Sequence, residues 1–299
     1  MKKVIIGLAA VILLASCGGG KKADDQEFEK SLDSAKNQAP AIDDEAIASI
    51  LQNIPSPLEI SVLLKESGTK YNAALLNSPD NESKYNSNFK KALNLGVYGT
   101  DLGYTNIYEQ NSDGLKYLST IKSLANGLNI GQFFDLATIA KLATNSKNLD
   151  SLLLITTQNF NSINHYLQTQ NRANLSVLLL TGGWVEAMQI TCQVASKDMK
   201  NKELKEKIGE QKIILEQIMI LYSFYTNDEN MVSLAKDLEQ LKAAFDNIKI
   251  TYTYKESKVK IVNGVAVIED NSTTTIDVTD KDIEAITALT NTIRNKITG

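Results

Sequence analysis

The side chains able to do chemistry are scarce in this 299-residue chain, which has one histidine, two cysteines and one tryptophan. One histidine excludes a multi-histidine metal centre and leaves any Ser-His-Asp or Cys-His mechanism a single base, His165. His165 stands one residue off the apolar stripe of Phe160, Ile163 and Tyr166 or Leu167, the place of a boundary or surface residue. No Walker A, Gly-x-Gly-x-x-Gly, Gly-x-Ser-x-Gly, Cys-x-x-Cys or His-Glu-x-x-His sequence occurs. The sequence therefore assigns no catalytic residue, metal ligand or cofactor. Asp101 and Glu186 are the most informative carboxylates, because each lies in a segment pairing glycine with an aromatic residue. If both reach one cleft, with Tyr104 and Trp184 beside them, they would bind a cation or an amine, or form an acid pair with raised pKa. The simpler expectation is that each reaches solvent or accepts a hydrogen bond from a nearby Tyr or Thr. Tyr98, Tyr104, Tyr108 and Tyr117 divide in the same way between a ligand groove and core tyrosines with a polar tip. Cys192, in the apolar stretch Met188 to Val194, reads as a buried small hydrophobe.

The elements that must position these residues are helices. All four prolines lie before residue 80, and proline is excluded most strongly from helix interiors. A shift of 86 residues lays Leu93-x-x-Gly96-x-Tyr98-x-x-x-Leu102 over Leu179-x-x-Gly182-x-Trp184-x-x-x-Met188. Glycine inside a helix costs about 1 kcal/mol relative to Ala, and close helix–helix approach offsets that most simply. The match predicts two related hairpins forming a pseudo-symmetric core. Earlier, Ser56-Pro57 opens a short helix that Gly68 ends, and a long helix is expected from about Asn81 to Tyr108. Further on, Leu204, Ile208, Gln211, Leu215, Ile218, Tyr222 and Tyr225 form one stripe, and Met231, Leu234, Leu238, Leu241, Phe245 and Ile248 another. Thr226 to Glu229 between them reads as a capping box, which predicts an antiparallel helical hairpin. From Lys249 the period changes to two. Strands over 249–254, 259–262, 265–268 and 273–278 follow, with Asn263-Gly264 as a hairpin turn, before Thr279 opens a last helix.

The first residues add a separate signal. Lys2 and Lys3 precede an apolar run from Val4 to Ala15, the pattern of a secretory signal over 1–16. Twelve residues fall short of the roughly 20 that span a bilayer. Leu14-Ala15-Ser16-Cys17 resembles the bacterial lipobox, and the resemblance implies cleavage before Cys17 and acylation of its sulfur. Several acyl chains on Cys17 would anchor the protein in a membrane without a transmembrane helix. Residues 17–40 then read as the lipidated cysteine and a flexible polar tether. Glycine rather than aspartate at the second mature position implies sorting to the outer membrane, facing the periplasm. The acidic cluster around Asp24 and Asp25 faintly resembles the surface-export signals of Bacteroidota lipoproteins, so cell-surface exposure is the alternative.

Taken whole, the sequence predicts a mainly α protein: a multi-helix bundle of antiparallel hairpins over 41–248, followed by a small antiparallel β appendage and C-terminal helix over 249–299. It resembles the helix-rich lipoproteins of Bacteroidota, a resemblance that carries no activity with it. Losing Lys2 and Lys3 takes the formal charge from −4 to −6, so nucleic-acid binding is not expected. The expected role is a non-enzymatic, lipid-anchored envelope protein that binds or scaffolds an envelope partner. The alternative is a helical binding protein for a small amphipathic or cationic ligand.

Overall fold

The structure, a computed structural model, describes residues 44–54, 57–66, 68–134, 149–262, 265–269 and 271–299. The expected signal, Cys17, the tether over 17–40 and the Asn263-Gly264 turn lie outside the described residues. Among them the α-helices are α1 (Asp44–Asn53), α2 (Pro57–Glu66), α3 (Asn88–Ile107), α4 (Asn111–Gly127), α5 (Leu149–Thr169), α6 (Ala173–Ala195), α7 (Lys202–Ser223), α8 (Glu229–Phe245) and α9 (Asp280–Thr298). The mainly helical bundle expected from the sequence is what the chain forms. Local signals set most boundaries. Asn201, Asp228 and Thr279 each accept a backbone N–H from the first turn of α7, α8 and α9, and Thr279 with Asp282 closes a full capping box. Asp228 alone caps α8, in place of the box expected from Thr226. The long helix expected from Asn81 starts later. Ser78 caps a 3-10 helix over Pro79–Lys84, and the Ser87 side chain then accepts the Lys90 N–H, so α3 begins at Asn88.

The centre of the bundle is the crossing of α3 and α6. A methyl group built on Gly96 would strike the Leu179 carbonyl oxygen, and one on Gly182 would strike that of Leu93. These four residues are the ones the 86-residue shift superposes, so the two segments dock reciprocally through their glycines. Leu93, Val97, Tyr98, Leu178, Val185 and Met188 are buried around the contact. Gly99 differs: a methyl there would meet nothing within 4 Å, so close approach does not explain it. α6 is long and apolar enough to cross a membrane, but 94% of its apolar window is buried in the protein, which is the environment of a core helix apolar on all sides.

α4 folds back on α3, and α7 with α8 forms the expected hairpin, the apolar stripe of α8 from Met231 to Phe245 being buried. α9 lies along α6 and α8 and reaches α3, so the C-terminal helix is part of the bundle and only the strands are appended. The strands β1 (Lys249–Thr253), β2 (Lys258–Val262), β3 (Val265–Glu269) and β4 (Thr273–Asp277) form one antiparallel ribbon, β1 with β4 and β2 with β3. At its foot, Ile276 sits on Gly209 of α7, where a Cβ would come within 2.7 Å of it. Between the two pairs the ladder is interrupted, and Ser272 and Asn271 bond the Lys255 and Glu256 backbone instead.

Candidate functional site

Asp101 and Glu186 meet inside the bundle. α3 carries Asp101 one turn beyond the glycine crossing, α6 carries Glu186, and both side chains have no exposed surface. Arg294 of α9 completes the cluster, its Nε and Nη2 each donating to one Glu186 oxygen at 3.0 Å. This two-pronged geometry is the strongest form of carboxylate recognition. One Asp101 oxygen accepts the Asn77 backbone N–H at 3.2 Å, whereas Oδ1 has no donor although it is buried. Burial, and next the negative charge of Glu186, raise the Asp101 pKa well above the usual carboxylate range against the opposing pull of Arg294. Asp101 is therefore the member that holds its proton more tightly than a free aspartate, and a proton on Oδ1 would let that oxygen donate to Glu186. The cluster ties three helices of distant sequence into one unit.

Of the four residues expected to line a ligand site, the structure brings Asp101 and Glu186 together and gives the other two different neighbours. The Trp184 indole N–H donates to Gln211 of α7 at 3.0 Å, whereas Glu186 reaches α9. Tyr104 stacks with Tyr71, ring centroids 5.5 Å apart, and meets the tilted ring of Tyr108 at 4.8 Å, and its hydroxyl accepts the Asn72 N–H. Tyr98 contacts Tyr85 and Tyr117 in a second aromatic cluster and donates to the Ser78 carbonyl at 2.8 Å. Tyr98 and Tyr104 are core tyrosines whose tips meet backbone groups, whereas the buried Tyr108 hydroxyl has no hydrogen-bond partner. His165 is exposed, and burial pushes the Cys192 thiol up to about 12, far from a reactive thiolate. No group of three or more metal-ligating side chains exists among the described residues.

No family model, curated protein or solved structure matches the chain. The functional argument consequently rests on its own groups. Sequence reasoning singled out the two carboxylates and missed their partner. A signal for it existed: only Arg172 and Arg294 interrupt an otherwise lysine-only set of basic residues. Arg294 also continues the i, i+4 row of the buried Ile286 and Thr290. Arg172 likewise crosses between elements, donating to the Leu128 carbonyl at 2.9 Å. A cation entering the acid pair would have to displace Arg294 from both Glu186 oxygens, so the site's own chemistry supplies the positive charge a cationic ligand would bring.

The other conspicuous feature is the ribbon. Every residue from Thr251 to Ile261 is exposed, including Tyr252 at 61%, Tyr254 at 72%, Val259 at 67% and Ile261 at 77%. Against these stand only Leu115, Ile213 and Ile220 as exposed large apolar side chains on the described helices. Four of the seven exposed large apolar side chains among the described residues are thus gathered on this one element.

Proposed function

We propose that the protein is a non-enzymatic, lipid-anchored envelope component, attached through Cys17, whose helical body carries the β ribbon as a partner-binding arm. The observation that supports this reading best is the gathering of Tyr252, Tyr254, Val259 and Ile261 on a ribbon that the body holds by its foot and leaves exposed beyond it. The buried cluster supports it too, since Arg294 already occupies both Glu186 oxygens. A two-stranded ribbon has an unpaired backbone edge on each side, which an added strand can join.

Two measurements test the reading. Metabolic labelling with a fatty acid should mark the wild-type chain and not Cys17→Ser, and Cys17→Ser should leave the membrane fraction; labelling or retention of that variant overturns the anchor. Capture of the full chain from gently solubilised envelopes should recover a protein that is lost with Val259→Glu plus Ile261→Glu. Equal recovery with that variant removes the arm from the proposal.

A further inference from the structure

The ribbon's two edges carry opposite charge. Its outgoing half, 249–262, holds Lys249, Lys255, Lys258 and Lys260 against Glu256, whereas the returning half, 265–277, contains Glu269, Asp270 and Asp277 and no basic residue. Inside the ribbon this difference already sets partners, because Lys258 lies directly across from Glu269 and Lys249 from Asp277. Opposite charges facing each other across strands are favourable and like charges are not. From this arrangement we infer that the arm's partner is a second copy of this chain, the outer edge of β2 in one copy pairing with the outer edge of β3 in the next. This rests on the reading of the ribbon as a partner-binding arm and names the partner.

Three physical arguments select that occupant. Joining two β2 edges would set Lys260 against Lys260, whereas β3 carries no lysine and one acid, Glu269. The unlike edges complement each other, since continuing the register inside the ribbon sets Lys258 of the next copy beside Glu269, so the lysines that guard the β2 edge against its own kind recruit the other edge. A bilayer is a poorer occupant, since the unpaired backbone of both edges cannot be satisfied in hydrocarbon. The geometry also leaves room. Fourteen residues at roughly 3.3 Å each let the arm reach about 45 Å, and adjacent strands rotate by about 20–25°. Two arms joined at β2 and β3 therefore diverge toward their feet and separate the helical bodies. The interrupted ladder around Lys255 and Ser272 confines the pairing to the distal half. An unlike-edge contact is heterologous, so it leaves one edge free at each end and extends to more than two copies.

Sedimentation velocity of the full chain in density-matched detergent tests this. Wild type should self-associate with rising concentration. Lys258→Glu alone and Glu269→Lys alone should each weaken association by roughly three- to tenfold. An equimolar mixture of the two variants should recover it, because each then offers an edge complementary to the other, and the double variant in one chain should recover it alone. A wild-type chain that stays monomeric at all concentrations, or a mixture no better than its components, overturns the inference. If the chain is monomeric and still captures an envelope protein that Val259→Glu plus Ile261→Glu loses, the second-copy assignment fails while the partner-binding arm stands.

Discussion

Asp101, Glu186 and Arg294 are unequal members of one cluster, and substitution separates them. Glu186→Gln leaves the Arg294 guanidinium without its anion in a desolvated place, which should cost about 3–5 kcal/mol by denaturant unfolding. Asp101→Asn keeps a donor toward Glu186 and an acceptor for Asn77 while removing a titratable group, so it should be neutral or stabilising. The pH dependence follows from the direction of the Asp101 shift. An unfolded Asp loses its proton near about 3.9, but the folded chain keeps it to well above that. The folded state then binds more protons, so stability falls as pH rises from about 4 through the raised pKa and is flat beyond it. Asp101→Asn should abolish that decline, and an unchanged slope in urea unfolding across the pH series would show that another group causes it. The two carboxylates were legible in sequence because each sits in an apolar helix. Their mutual contact was not, because it depends on how two helices and a third, far along the chain, are rotated about their axes.

At the level of elements, the glycines test the crossing. Gly96→Ala and Gly182→Ala each drive a methyl into the opposing backbone, which cannot move aside as a side chain can. Each should lose about 1–3 kcal/mol or more. Gly99→Ala, with open space at its Cβ, should instead gain up to about 1 kcal/mol from better helix propensity. Comparing the three melting temperatures separates packing glycines from a merely tolerated one. The repeated Leu-x-x-Gly spacing made the crossing readable, because a helical glycine needs a compensating contact. Gly99, another glycine inside the same helix, shows the limit: a helical glycine says where a close approach fits, and only the packed partner says whether one occurs. The strands were readable for a similar reason, since period two in Lys249 to Thr253 fits no helix. The delayed start of α3 was not, because Asn81 to Lys84 are compatible with a helical turn and Ser87 becomes a cap only once α3 is docked.

For the molecule as a whole, the bundle is closed by its last turn. Besides Arg294, the Asn94 side chain donates to the Ile297 carbonyl at 2.9 Å, and the Tyr85 hydroxyl donates to that of Thr298 at 3.2 Å. Ending the chain after Ile293 removes all three ties and uncovers part of α3 and α6. Hydrogen exchange in α3 should then accelerate to that of a helix lacking tertiary support; protection equal to the full chain would show that α9 only decorates the bundle. The general architecture was evident from periodicity and the absence of proline, whereas the role of α9 as closure was not, because its amphipathic pattern suits any surface helix.

The bond between Glu186 and Arg294 spans 108 positions, and that separation has a consequence in time. A chain emerging from its N-terminus can form α3 and α6 early, but Glu186 then faces a desolvated site with no cation. The core therefore cannot reach its final state until nearly the whole chain is available. A growing chain therefore holds Glu186 without its guanidinium partner until α9 has followed.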